Sequence, residues 1–222
     1  MTQGLRLVLF GPPGAGKGTQ AQLLTERLKI SHISSGDLFR HHVQAETPLG
    51  LKAADYMNRG VLVPDELTID IALEKVMSLN AEEGFILDGF PRTRFQAKAL
   101  EEALQTRARN LDKVVYIDVP EDELLRRLAG RFVCRQCQAP HSMTLGGTDG
   151  SPDRELICER CGGELYQRTD DRPEAVQTRI EVYKSETMPV LDFYRERALL
   201  ADVPGVDTVE QINKRVMKAL GL

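Results

Sequence analysis

The nine residues Gly11-Pro12-Pro13-Gly14-Ala15-Gly16-Lys17-Gly18-Thr19 constrain this chain more than any other stretch. They follow a short apolar run at 5–10 and precede a helical pattern with apolar residues at Ala21, Leu24 and Leu28. In a strand–loop–helix context, such glycines let successive backbone N–H groups point into one concavity. The helix N-terminus adds a positive partial charge there. Lys17 is then placed to reach terminal phosphates, and a hydroxyl to hold Mg²⁺. The general pattern puts that hydroxyl directly after the lysine; here Gly18 intervenes and Thr19 supplies it.

A phosphate loop of this kind opens a parallel sheet, and the rest of the chain follows suit. Apolar runs at 5–10, 30–33, 85–87, 114–119 and 199–203 read as strands. Helical patterns at 67–79, 95–107, 121–128, 174–197 and 209–220 lie among them. This alternation predicts an α/β fold of the P-loop NTPase type, a parallel sheet flanked by helices, with ligands at the carboxyl ends of the strands. Two stretches break the alternation. Residues 34–63 hold two short helical patterns separated by Pro48 and Gly50, and residues from 131 to about 167 are rich in Cys, Gly and turn formers. Both read as insertions into the core.

The run Phe85-Ile86-Leu87 ends in Asp88, which suits a carboxylate that holds Mg²⁺ through water opposite a phosphate loop. Gly89-Phe90-Pro91-Arg92 follows. The glycine permits close backbone approach, the Phe90-Pro91 bond sits where a cis proline is expected, and Arg92 offers a bidentate fork for phosphate.

Cys134 and Cys137, then Cys158 and Cys161, form two Cys-x-x-Cys knuckles about twenty residues apart. That spacing predicts a closed, structural tetrathiolate metal site, zinc by preference, with iron or cobalt compatible. Two disulfides or four free thiols are the alternatives. His141 is a candidate substitute ligand or nucleotide contact.

The formal net charge of −4 argues against a general nucleic-acid binder. Residues 131–166 carry four Arg and no Lys against five Asp plus Glu, with Phe132 and Tyr166 as the sole aromatics. A nucleic-acid-binding zinc ribbon would be basic and richer in stacking rings. No apolar stretch reaches membrane-span length. Residues 1–4 lead straight into the first strand, so the reading expects a cytoplasmic protein.

Taken together, residues 11–19, 34–40, 88–92 with Gln96, Arg127 with Gly130 and Arg131, 168–171 and Arg179 resemble the adenylate kinases among the nucleoside monophosphate kinases, in family order along nearly the whole chain. The resemblance implies reversible phosphoryl transfer from MgATP to AMP, giving two ADP, by a monomer that binds neither nucleic acid nor membrane. It implies a core at 1–33, 64–129 and 168–222, an AMP-binding insertion at 34–63, and a zinc-binding lid at 130–167. Gly14, Ala15, Gly16, Lys17, Gly18 and Thr19, with Arg127 and Arg131, would hold ATP. Ser35, Arg40, Val61, Val63, Gly89, Arg92, Gln96, Arg168 and Arg179 would hold AMP. Lys17, Arg92, Arg127, Arg131, Arg168 and Arg179 would act on the transferring group, steered by Asp170 and Asp171. Asp88 and Asp37 would order Mg²⁺ through water. Two departures stand out: Pro140-His141-Ser142 replaces the usual Tyr-His, and Asp207 stands where Lys is frequent. Another nucleotide pair, such as GTP with AMP, or UMP and CMP as acceptors, is the competing reading within the enzyme class.

Overall fold

The computed structural model describes residues 4–142 and 156–222. The five apolar runs form one parallel sheet, each boundary within a residue of expectation: β1 (Arg6–Phe10), β2 (Ser31–Ser34), β3 (Phe85–Asp88), β4 (Lys113–Asp118) and the chain's last strand, β8 (Leu200–Pro204). Their spatial order is β2-β3-β1-β4-β8, and every neighbouring pair is parallel. The central strand β1 is buried along its whole length, which explains its unbroken apolar run. Leu7 and Leu9 face one layer, packed with α1 (Lys17–Leu28) through Ala21 and Leu24 and with α9 (Val209–Ala219) through Ile212 and Val216. Val8 and Phe10 face the other, against α4 (Asp65–Met77), α5 (Arg94–Gln105) and α8 (Pro189–Arg195). Tight cores on both faces fix the strands, so the loops at their carboxyl ends are presented from a rigid base.

Residues 34–63 fold as α2 (Ser35–Gln44) and α3 (Pro48–Arg59). Local signals set both. The Ser34 hydroxyl accepts from the Asp37 N–H at 3.2 Å, and the Thr47 hydroxyl accepts from the Gly50 N–H at 3.0 Å, with Pro48 opening the second helix. Gly60 stops α3 in the left-handed region at φ 73°. Phe39, Ala53, Val63 and Ile71 give the pair its own small core.

After α6 (Glu121–Ala129) come three short strands, β5 (Arg131–Cys134), β6 (Pro140–Ser142) and β7 (Leu165–Tyr166). They form an antiparallel sheet of order β6-β5-β7. No strand was expected in this turn-rich segment. Its strands are two to four residues long, too short to show an alternating pattern. Residues 143–155 of the expected lid lie outside the described residues.

The single helix expected at 174–197 is also corrected. It runs as α7 (Pro173–Val182), then a π turn at Tyr183–Thr187, then α8. Pro189 has no N–H to donate. The Met188 N–H reaches back five residues to the Tyr183 carbonyl at 2.8 Å. Among the described residues, no helix is long and apolar enough to cross a membrane.

Candidate active site

The loop after β1 wraps the start of α1. Gly16 caps that helix at φ 89°, a left-handed backbone that side chains rarely adopt. Next to it, the Lys17 ammonium folds onto its own loop, donating to the carbonyls of Gly11 at 2.8 Å and Pro12 at 3.0 Å. Desolvation pulls this ammonium down to about 8; Asp88 opposes the shift, and Arg92, Arg179 and Arg131 reinforce it.

Asp88 ends β3 across from the loop. Desolvation pushes its carboxyl up, but the facing His32 imidazole and Lys17 more than offset this, so it stays below the usual carboxylate range. The His32 Nε2 lies 3.6 Å from Asp88 Oδ2, an ion-pair distance rather than a hydrogen bond. Gly89 follows at φ 77°, and the Phe90-Pro91 peptide is cis as expected. A Cβ on Gly89 would come within 2.8 Å of Ser35 Oγ and 2.9 Å of Arg92 Nη2. Only glycine lets those two groups share its carbonyl: Ser35 Oγ donates at 2.7 Å and Arg92 Nε at 2.7 Å.

Gln96 is 1% exposed and works mainly as a brace. Its amide oxygen accepts from the Arg92 N–H at 2.7 Å, and its amide N–H donates to Asp65 at 2.7 Å. One N–H and one lone pair remain for a ligand. Arg40 pairs with Asp37, which leaves Asp37 a weaker Mg²⁺ candidate than Asp88. Burial, seconded by neighbouring guanidinium groups, brings Arg92 and Arg168 down to about 10.

Beneath these groups sits Asp171, its side chain wholly buried. One oxygen accepts from Arg131 Nε at 2.7 Å, and the other is shared between Arg131 Nη2 and Arg179 Nη1. Asp170 pairs with Arg179 at 3.1 Å. Arg127 donates to Glu123 at 2.7 Å and to the Gly205 carbonyl at 2.9 Å.

These side chains line one cleft of about 860 Å³. Every residue expected to contact nucleotide or magnesium lies on its wall. Of the expected catalytic set, only Asp171 sits behind the wall. Residues 14–20, Arg126, Arg127, Asp207 and Val209 flank one end; residues 34–37, Arg40, 60–63 and Gln96 flank the other. Asp207 is turned toward Arg215, with Oδ2 2.6 Å from its guanidinium. Three supporting residues escaped the sequence reading. Glu123 was findable, since it stands three and four residues before Arg126 and Arg127 on one helix. His32 and Asp65 meet their partners only through tertiary packing and carry no local signal.

Among the described residues, nine cations line the cleft, Lys17, Arg40, Arg92, Arg127, Arg131, Arg168 and Arg179 with Arg126 and Arg160, and suit a ligand with several negative charges. Anion binding should restore the Lys17 proton. A depressed lysine is protonated below pH 8 and loses charge above it, so nucleotide binding should draw in protons between about pH 8 and 9.5, with little uptake at pH 7. Titration calorimetry in buffers of different ionisation enthalpy measures this directly. Equal uptake at pH 7 and pH 9 would contradict it.

The four cysteines come together at the base of the second sheet, with all four sulfurs within 4.8 Å of one another. Cys134 and Cys161 are 3.4 Å apart, and Cys137 and Cys158 3.6 Å. These separations are far beyond a disulfide and close to the edge of about 3.8 Å that a tetrahedral zinc–thiolate site would have. The Cys137 and Gln136 N–H groups hold the Cys134 thiol down to about 6. Although the Gly163 N–H opposes it, the neighbouring Cys134 and Cys137 sulfurs push Cys161 up to about 12. Sulfurs this close ionise together only around a cation, so the cluster fits a divalent metal. His141 lies beside this set, not within it.

Comparison with known proteins agrees over nearly the full chain. A family model described as adenylate kinase matches residues 9–199. The adenylate kinase of Streptomyces coelicolor is 48% identical, covering 97% of this chain and 98% of its own. That of Desulfitobacterium hafniense is 47% identical over the same shares. That of Caldicellulosiruptor bescii is 45% identical, covering 98% of this chain and all of its own.

Proposed function

The chain belongs to the adenylate kinase family, and we propose that it transfers the γ-phosphoryl group of MgATP to AMP, reversibly, giving two ADP. The observation that carries this reading is the single cleft, in which a phosphate loop at one end and Gly89, Arg92 and Arg40 at the other face a common floor of cations.

In this reading residues 14–19 cradle the ATP phosphates with their N–H groups, and Lys17 swings from the Gly11 and Pro12 carbonyls onto the transferring group. Arg92 and Arg40 hold the AMP phosphate. The 61–63 backbone and the free capacity of Gln96 meet its base. An oxygen of the AMP phosphate bonds to the γ-phosphorus as the bond to the β,γ-bridging oxygen breaks, and ADP leaves with that electron pair. No general base is required, because the attacking oxygen is already anionic. Arg131, Arg168, Arg179 and Arg127 spread positive charge over the transferring oxygens, with Asp170 and Asp171 setting the angle of their forks. Bound Mg²⁺ would neutralise the β- and γ-phosphates. Asp88 fits as its water-mediated anchor, being ionised and facing Lys17. Residues 34–63 and 130–167 are taken as the two moving parts, whose closure over the cleft excludes water.

The test is a coupled assay with AMP, UMP, CMP and GMP as acceptors, each with ATP and with GTP. Fastest turnover with ATP and AMP is expected. A clear preference for GTP, or for UMP or CMP, would replace this substrate assignment while leaving the reaction class standing.

A further inference from the structure

His141 stands between two sites. It lies on β6, paired across the ladder with Phe132 of β5, and it lines the cleft together with Gln138 and Arg160. Its Nε2 is 3.2 Å from the Cys158 sulfur.

The sulfurs differ in their remaining partners. Cys134 accepts from the backbone N–H groups of Gln136 and Cys137, each at 3.4 Å. Cys158 is 1% exposed, and among the described residues the His141 Nε2 is the nitrogen within hydrogen-bond distance of its sulfur. A metal-bound thiolate carries no proton and can only accept. In the neutral imidazole the hydrogen therefore sits on Nε2, and Nδ1 is left as an acceptor. Phosphate oxygens cannot donate to it. A sugar hydroxyl can.

We propose that His141 is shared by the two ligands: a sugar hydroxyl of the nucleotide bound at the phosphate-loop end donates to Nδ1, fixes the Nε2–H tautomer, and thereby tightens the N–H bond to the Cys158 thiolate. An outer partner that orients a metal ligand typically changes metal affinity by about 10–100-fold. Because binding linkage is reciprocal, the nucleotide then tightens metal binding, which is read as slower metal loss, and the metal raises nucleotide affinity by the same factor as nucleotide raises metal affinity. This inference rests on the proposed function, since it needs a nucleotide at that end of the cleft.

The experiment follows zinc capture by a chromophoric chelator from the zinc-loaded protein. It is run with no nucleotide, with a non-hydrolysable ATP analogue, and with its 2′,3′-dideoxy form. Equilibrium dialysis measures binding of each analogue. The hydroxyl-bearing analogue should slow zinc release about tenfold. The dideoxy form, at saturation, should leave it unchanged. His141→Phe should release zinc faster and ignore both analogues. His141→Gln keeps an N–H donor and should regain part of the response, and it serves as the variant if the phenylalanine form fails to load zinc. Equal slowing by the dideoxy form, or a full response in His141→Phe, would assign the effect to closure of the segment and overturn the role of His141. Measured binding with no slowing in the parent protein would overturn the coupling itself. Absence of any nucleotide binding would overturn the proposed function and this inference with it.

Discussion

Replacing Lys17 with methionine is expected to lower kcat by about 10³-fold, the scale on which a single cation aimed at a transferring phosphoryl group acts. Methionine keeps the length of the chain and removes the charge. The loss should fall on kcat more than on KM, because the charge it meets grows as the bond to the leaving oxygen lengthens. The same substitution should leave the fold intact. Lys17 sits desolvated; the attraction of Asp88 only partly offsets this, Arg92, Arg179 and Arg131 add to the cost, and its two hydrogen bonds go to carbonyls of its own loop. Removing it relieves repulsion while leaving two acceptors near a cleft open to water, so the midpoint of thermal unfolding should stay level or rise slightly. Such a site holds strain for the sake of its ligand. Turnover within tenfold of the parent enzyme would remove Lys17 from the catalytic set. A collapse of stability would mean that its bonds to Gly11 and Pro12 hold the loop.

The contrast between what was readable in the chain and what was not has a physical basis. The phosphate loop, the Asp88–Arg92 turn and the cysteine knuckles are short, contiguous and built from residue types with narrow uses. Each therefore shows as a local pattern. The central strands β1 and β3 were readable because burial on both faces demands unbroken apolar runs. The edge strands β2 and β8 are largely half-buried and carry a weaker pattern. Packing across the chain is another matter. His32 meets Asp88, and Asp65 braces Gln96, only once strand order and helix docking are settled. The π turn at Tyr183–Thr187 hides inside an ordinary helical pattern, with Pro189 as its only mark. The second sheet was missed because its strands draw little from backbone propensity; they cohere around sulfur. Family resemblance points to Asp171 as a partner of the lid arginines. Its complete burial between Arg131 and Arg179 could not be read from the residues themselves.

Stripping the metal should then unfold the second sheet while the main one persists. The buried side chains of the segment are few: Cys134, Cys158 and Leu165 form its core, with Phe132 and Cys137 packed at the edge. Three of those five are the proposed ligands. Without an ion the segment has little apolar surface to offset the entropy of ordering its strands. Structural zinc in small tetrathiolate and related folds supplies on the order of 10 kcal/mol, enough to decide whether such a piece is folded at all. Hydrogen exchange reads the outcome at named amides. The Arg135 N–H, bonded to the Glu164 carbonyl at 2.9 Å, and the Cys158 N–H, bonded to the Gly163 carbonyl at 2.8 Å, should lose protection after chelation. Amides of β1 should keep theirs, since their burial owes nothing to the cysteines. Calorimetry should show a separate low-temperature transition in the stripped protein that merges with the main one when zinc is restored. Turnover should fall with it, because Arg131 opens β5 and its fork onto Asp171 depends on that strand holding its place. Metal analysis of the purified protein gives the prior check: less than one equivalent of bound metal, with full protection at these amides, would show that the sulfurs fold the segment on their own.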